Sequence, residues 1–177
     1  MRKRLENLDA LAEALEDQRN NIRIDTSFEL LRAAGLMDRY LDLGFRKLHL
    51  KRNQVMVLSF ILANGGTITP TELKNKVFRS DNAISMTLNT LDKLGLTRSS
   101  RTTVDRRLRR VTLTEMGIKA FEKIVPIRQD IFDEATSTLT QEESQKLKII
   151  LEKIMDHLFD LTGKKSKEIY PVKNNAV

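Results

Sequence analysis

The chain has 177 residues, of which 31% are charged, and a net charge of +7, which is long enough for one domain with extensions and a sizeable core. It contains no cysteine, which excludes disulfides, thiolate metal sites and thiol redox sensing. The charged N-terminal segment lacks the apolar stretch of a signal peptide, and no run of about 18 apolar residues predicts a membrane span. We therefore expect a soluble, cytoplasmic protein without a membrane partner.

The positive charge is concentrated in one central segment. Residues 44–113 carry 14 Lys and Arg against 4 acids, whereas residues 114–162 carry 10 acids against 6 bases. A basic module between neutral or acidic flanks is typical of proteins that bind a polyanion. An acidic protein partner would also suit this charge, so the charge alone leaves the partner open.

Helical spacing of apolar residues dominates the N-terminal part. Leucines share one face of a helix predicted over residues 2–18. The capping box "TSFE", Thr26–Glu29, predicts the start of a second helix that reaches about residue 48. A short helix follows over about residues 54–63, with Asn53 as its candidate cap and "NGG" at its end.

Two further short helices have the spacing of a helix-turn-helix. "TPTE", Thr69–Glu72, forms a capping box that predicts a helix over residues 70–77. About three residues later a second helix begins, with Ser80 as its predicted N-cap, and Gly95 ends it. Its apolar stripe, which we expect to face the core, consists of Ile84, Leu88, Leu91 and Leu94.

The opposite face of that helix carries short, mostly uncharged side chains. Such side chains approach base edges closely, and Asn can pair with adenine through two hydrogen bonds. An ordinary exposed helix would explain the same residues, so this face indicates DNA binding only together with the neighbouring segments. The candidate base-reading residues are Ser80, Asn82, Ser85, Met86 and Asn89.

A basic hairpin follows the two helices. Strand-like runs at residues 96–100 and 109–113 enclose a polar, arginine-rich loop, which is the winged-helix arrangement. Thr114 then caps a long helix in which Pro126 predicts a kink or a local break. "TQEE" at residues 140–143 begins a last amphipathic helix. The predicted fold is mostly α with a small β-hairpin wing and flanking N- and C-terminal helices.

The segments "LDKLGLTRSS", "DRRLRRVTLT" and "LTEMG" resemble the MarR family of winged-helix transcriptional regulators, and the resemblance extends over residues 28–161. It implies a two-fold homodimer, two winged-helix lobes and a palindromic operator of double-stranded DNA. The implied division is a helical extension at 1–24, a MarR-like domain at 25–162 and a basic tail at 163–177. Within the domain, a winged helix at about 50–113 lies between dimerisation helices at 26–49 and 114–162.

The resemblance also implies roles for the basic residues. Arg107 matches the family's minor-groove arginine, and Asp105 would brace it by paired hydrogen bonds. Arg98, Arg101 and Arg106 are predicted to contact phosphates. Of Arg109 and Arg110, which stay unassigned, we expect one to face the other side of the hairpin. Helix starts bind phosphates, and the candidates there are Lys51, Arg52, Asn53, Thr69 and Thr71.

Regulation by a small aromatic or phenolic effector is a further implication, with repression as the default mode and Arg46, His49 and Met56 as ligand candidates. The chain's two histidines, at 49 and 157, lie far apart in sequence, so no metal or cofactor is expected. Neither a phosphate loop nor a nucleophile motif occurs, so we expect no catalytic residue and no enzyme. The alternative function is a winged-helix interaction or dimerisation module without specific DNA binding.

Overall fold

The computed structural model describes residues 2–77, 81–101 and 109–163, without the side chains of residues 2–6, 19, 77, 81 and 101. This part of the chain is mainly helical and contains one small sheet, which confirms the predicted fold class. Its elements are α1 (Arg2–Arg19), α2 (Ile22–Phe45), a 3₁₀ turn (Arg46–Leu48), α3 (Arg52–Ala63), β1 (Thr67–Ile68), α4 (Pro70–Val77), α5 (Asp81–Lys93), β2 (Thr97–Arg101), β3 (Arg109–Leu113), α6 (Glu115–Thr136) and α7 (Gln141–Thr162). None of the described helices is long and apolar enough to span a membrane.

The chain forms two compact units, one up to Tyr40 and the other from Leu41 onward. The first unit consists of α1 and most of α2. Its α1 confirms the helix predicted over residues 2–18, and the leucines at positions 8, 11 and 15 are exposed. The second unit contains the end of α2, the winged helix, α6 and α7.

The start of α2 differs from the prediction, because Thr26 lies inside the helix rather than at its cap. The Asn21 side-chain oxygen accepts from the backbone N–H of Arg23 at 3.0 Å, so the helix begins at Ile22. Glu29 pairs with Arg32 at 2.6 Å instead of reaching back to Thr26. The capping box is therefore wrong here, since an asparagine just upstream already supplies an effective N-cap.

The sheet of the second unit has the order β1-β3-β2 and is antiparallel throughout. Strands β2 and β3 confirm the predicted hairpin. Strand β1 was not predicted, because it has only two residues, of which Ile68 pairs with Val111 and is buried. Fully buried side chains from α3, α4, α5 and the sheet form the core: Leu58, Ile61, Leu73, Leu88, Leu91 and Val111.

The end of α5 corrects one predicted core position. Leu94 is 42% exposed, whereas Leu96 is buried. Gly95 has a φ of 70°, and the backbone N–H of Leu96 donates to the carbonyl of Leu91 at 3.0 Å. This left-handed turn ends the helix and directs Leu96, rather than Leu94, into the core.

Helix α6 begins as predicted, because the Thr114 hydroxyl accepts from the backbone N–H of Gly117 at 3.0 Å. Of the kink or local break expected at Pro126, the break does not occur, because the helix is continuous from Glu115 to Thr136. Pro126 and Glu122, whose carbonyl loses its helical donor, are both exposed. Water can bond that carbonyl, so the proline does not interrupt the helix.

Gly117 lies where α6 crosses the backbone at Leu96, and this contact gives a stability prediction. A Cβ atom at Gly117 would overlap the Leu96 carbonyl oxygen and lie 3.3 Å from a methyl of Leu113. That carbonyl is held by the backbone N–H of Thr114 at 3.1 Å, so it cannot move freely. We expect Gly117→Ala to lower the free energy of unfolding in urea by about 2–3 kcal/mol.

Gly35 is the matched control for this substitution, because a Cβ there meets nothing within 4 Å. Gly35→Ala lies inside α2, where alanine is the better helix former, so it should leave stability unchanged or slightly raised. Equal unfolding midpoints for Gly117→Ala and the parent protein would contradict the packing described at Leu96.

Candidate nucleic-acid interface

Helix α5 has one buried and one exposed face. Ile84, Leu88 and Leu91 are buried against α3, α4 and the sheet. The opposite face is exposed, and Met86 on it is 71% accessible. This face presents four of the predicted base-reading residues to solvent: Asn82, Ser85, Met86 and Asn89. Ser80, the fifth, lies outside the described residues. The helix is thus anchored on one side and free to contact a ligand on the other.

Asn53 connects α3 to the buried side of α5 and does not cap α3. Its side-chain nitrogen donates to the Thr87 hydroxyl at 3.3 Å, and its buried side-chain oxygen has no partner among the described residues. The Thr87 hydroxyl in turn donates to the carbonyl of Ala83 at 2.8 Å. Asn53 therefore helps to seat α5 and points away from solvent.

The actual cap of α3 comes from α2. The Asp42 carboxylate accepts from the backbone N–H of Arg52 at 2.6 Å, and the Gln54 side chain accepts from that of Lys51 at 2.8 Å. The predicted cap at Asn53 is wrong because a carboxylate from the preceding helix reaches the first free N–H group. Two backbone N–H donors at the start of α3 are already bonded. The exposed Lys51 side chain is therefore a better phosphate ligand than these backbone groups.

The capping box at the start of α4 is confirmed. Glu72 accepts from the backbone N–H and the hydroxyl of Thr69, both at 2.8 Å, and the Thr69 hydroxyl accepts from the Glu72 N–H at 3.2 Å. These bonds from Thr69 lower the pKa of Glu72 below its usual value, and Arg110 and Lys76 add to the effect. Thr71 is exposed in the first turn. Arg110 thus lies within electrostatic range of the start of α4.

Arg109 faces the opposite side of β3 and contacts α5. Its guanidinium donates to the Ser99 hydroxyl at 2.9 Å and to the Asn89 side-chain oxygen at 3.3 Å, and it lies 3.5 Å from the Asp92 carboxylate. The expectation that Arg109 and Arg110 face different sides is confirmed. Sequence reasoning left Arg109 unassigned, although strand alternation from the buried Val111 indicates its inward side.

The outer face of the hairpin carries exposed basic side chains. Arg98 pairs in register with Thr112, and Ser100 with Arg110, which places both arginines on this face. The tip of the wing, with Asp105, Arg106 and Arg107, lies outside the described residues, as does the side chain of Arg101. The roles expected of these four residues therefore stay predictions.

A cavity of about 560 Å³ lies between the end of α2, α3 and α6. Its wall is mostly apolar and aromatic, and two cations, Arg52 and Arg128, also line it. The Arg128 guanidinium lies 5.9 Å from the centre of the Phe121 ring. An apolar cavity with few polar groups is the usual form of a small-molecule site.

The three ligand candidates are not brought together. Met56 lines this cavity, whereas His49 lines a separate groove with Lys47 and Lys123, and Arg46 lines neither. His49 has a left-handed backbone, with a φ of 55°, because it ends the 3₁₀ turn. Of the three candidates, only Met56 fits the cavity.

No protein-family model matches the chain. It is 32% identical to YwhA of Bacillus subtilis (strain 168), an uncharacterised HTH-type transcriptional regulator. The match extends over 94 residues, which are 53% of the chain and 68% of YwhA. A mutant of E. coli MarR complexed with operator DNA has a similar structure, with a TM-score of 0.68 and 26% identity over 77% of the chain and 96% of MarR. The chain belongs to the MarR family.

Other MarR-type regulators resemble this MarR-family chain over most of its length. PecS of Dickeya dadantii (strain 3937), an HTH-type transcriptional regulator, is 25% identical over 73% of the chain and 79% of PecS. The organohalide-sensing regulator RdhR, with 2,4-dichlorophenol bound, shares the fold with a TM-score of 0.80 and 21% identity over 86% of the chain and 90% of RdhR. The described winged helix is thus that of a MarR-family transcriptional regulator.

Proposed function

We propose that this MarR-family chain is a homodimeric regulator that binds a specific palindromic DNA sequence. The observation that carries the proposal is the exposed, short and uncharged face of α5, on a helix whose other face is buried and whose surroundings are basic. A helix of this kind enters the major groove with its side chains at base edges. The operator DNA bound to E. coli MarR supports the same mode of binding.

Each exposed group has a role in this arrangement. Asn82, Ser85 and Asn89 contact bases or the flanking backbone, and the thioether of Met86 meets a thymine methyl. The phosphate ligands are Lys51 and Thr71 at the helix starts and Arg98 and Arg110 on the outer face of the hairpin. Arg107, braced by Asp105, is proposed to enter the minor groove. Arg52, Asn53 and Thr69 are excluded from our set of DNA contacts because all three are half-buried, and the N–H and hydroxyl of Thr69 both donate to Glu72.

The test of DNA binding is selective retardation of the promoter of the chain's own gene, with an unrelated duplex of equal length in excess. We expect a retarded species on the promoter only. Equal retardation of both duplexes, or none, would favour the alternative, a winged-helix module that binds protein partners.

Exposed apolar faces outside the winged helix support the homodimer. Helix α7 has 22 residues and none is buried, although leucines and isoleucines form a stripe along it. Phe28 and Leu31 on α2 are exposed as well. Apolar surface of this extent on a soluble monomer is rare. A two-fold interface would cover it and would make the operator palindromic.

The cavity beside Met56 is proposed as the site of an effector that releases a repressor from DNA. Its aromatic wall suits a ring, and Arg128 suits a carboxylate or phenolate on that ring. The phenolic ligand bound to RdhR supports this chemical class. The site lies next to α3, which seats α5 through Asn53 and Thr87, so binding there has a direct route to the DNA-binding face.

Arg128→Met gives a prediction for this cavity. We expect benzoate to bind the parent protein more tightly than benzamide does, because only benzoate carries a charge that Arg128 can pair with. The variant should bind benzoate about 10-fold more weakly and benzamide almost unchanged, as measured by isothermal titration calorimetry.

Lys123→Met is the control, because it removes one positive charge from the same helix but lines the other groove. It should leave both affinities within about 2-fold. An equal loss of benzoate binding in both variants would contradict the role of Arg128.

A further inference from the structure

Asn89 and Arg109 are joined across 20 residues of sequence, and their bond has a fixed direction. An arginine guanidinium has only donors, so the atom of Asn89 that lies 3.3 Å from it must be the side-chain oxygen. The NH₂ group of Asn89 is then the end left for DNA. This assignment follows from the chemistry of arginine. It does not depend on how the Asn89 amide would be oriented without Arg109.

Arg109 is itself held from two other sides. Its guanidinium bonds the Ser99 hydroxyl at 2.9 Å and lies 3.5 Å from the Asp92 carboxylate. The other carboxylate oxygen of Asp92 accepts from the hydroxyl of Thr97, which is buried. The side chains of Arg109 and Asp92 are 39% and 25% exposed, so solvent screens the pair only in part. Ser99 and Asp92 thus fix the position of the Arg109 side chain.

We infer that Arg109 is a positioning residue that holds the side-chain oxygen of Asn89 and leaves its NH₂ group for DNA, and so determines which base Asn89 reads. The bidentate pairing of asparagine with adenine needs the amide oxygen to accept from the adenine N6 amino group. Arg109 already donates to that oxygen, so the adenine amino group would have to compete with a cation for it. Guanine presents two adjacent acceptors, N7 and O6, in the major groove, whereas adenine presents a donor beside its N7. Asn89 therefore prefers guanine to adenine, an inference that rests on the proposed DNA binding.

The experiment selects bound duplexes from a random-sequence library with the parent protein, Asn89→Ala, Arg109→Met and Arg110→Met. Asn89→Ala identifies the base position that Asn89 reads, because discrimination disappears there. At that position the parent protein should prefer guanine to adenine by about 10-fold, the usual size of one base contact. Arg109→Met frees the amide and should shift the guanine-to-adenine ratio toward adenine by about 10-fold.

Arg110→Met is the matched control, because it removes the same charge from the same strand on the opposite face. It should weaken binding without changing the preference at any position. Ser99→Ala removes the shortest hydrogen bond of Arg109. It should shift the guanine-to-adenine ratio in the same direction as Arg109→Met but by a smaller factor, and it replaces Arg109→Met if that variant fails to fold.

The outcomes separate the inference from the proposed function. A parent protein that enriches no sequence overturns both. A parent protein that enriches a motif with adenine at the Asn89 position overturns the inference alone. An unchanged ratio in both Arg109→Met and Ser99→Ala does the same, because the preference would then not depend on Arg109.

Discussion

Replacing Ser85 by glutamate is expected to lower the affinity for the promoter duplex by about 100-fold. Ser85 lies on the exposed face of α5 between Asn82 and Asn89. A carboxylate there would lie against base acceptors and phosphates, and like charges brought together at an interface cost several kcal/mol. Glutamate is a better helix former than serine, so the fold should be kept. Fluorescence anisotropy at fixed salt measures the affinity, and thermal unfolding checks the fold.

Gln141→Glu is the control matched in charge. Gln141 is an exposed residue in the first turn of α7, where an added carboxylate is favourable. Its effect on DNA binding should stay within about 2-fold, because one added charge outside the interface is mostly screened. If Ser85→Glu bound DNA as tightly as this control, α5 would not be the helix that enters the groove.

Leu158→Glu is expected to convert the proposed dimer into monomers and thereby to lower the affinity for a palindromic duplex by about 100-fold. Leu158 is 52% exposed on the apolar stripe of α7, and a charge buried there without a partner is strongly destabilising to the interface. Light scattering after size exclusion should give the 20.4 kDa mass of a single chain for the variant and twice that mass for the parent. Loss of the second half-site contact explains the loss of affinity.

The control for the interface is Gln145→Glu, an exposed position on the other side of α7 that receives the same charge. It should remain a dimer with unchanged DNA affinity. A Leu158→Glu variant that is still dimeric would show that this stripe of α7 is covered by something other than a second copy.

Local signals in the sequence predicted most of the helix starts correctly. The boxes at Thr69–Glu72 and at Thr140–Glu143 form as expected, because every group in them lies within three residues. The box at Thr26 failed because Asn21, slightly upstream, caps the same helix first. Local signals are thus reliable when no second cap competes nearby.

Tertiary contacts account for the features that were not predicted. Asp42 caps α3 across 10 residues, and this partner is not evident in the sequence of α3. Strand β1 has two residues and exists only because β3 lies beside it. Leu94 continues the helical pattern of α5, yet the left-handed turn at Gly95 redirects the chain before it can be buried.

The candidate interface was predictable in outline and incomplete in its detail. The polar spacing on α5 predicted which side chains are exposed, because the buried stripe determines the opposite face. The bond between Asn89 and Arg109 was not predictable, since it depends on how the hairpin packs on α5. The ligand candidates illustrate the same limit, because Met56 and His49 are close in sequence but line different cavities.

The salt dependence of binding to the promoter duplex tests the central claim most directly. A dimer that contacts about 6–10 phosphates should show a slope of about −5 to −9 in a plot of log affinity against log salt concentration. The residual preference for the promoter over unrelated DNA should persist at high salt, because base contacts release few ions. A slope near zero, or equal affinity for both duplexes at every salt concentration, would contradict recognition of operator DNA by α5 and the wing.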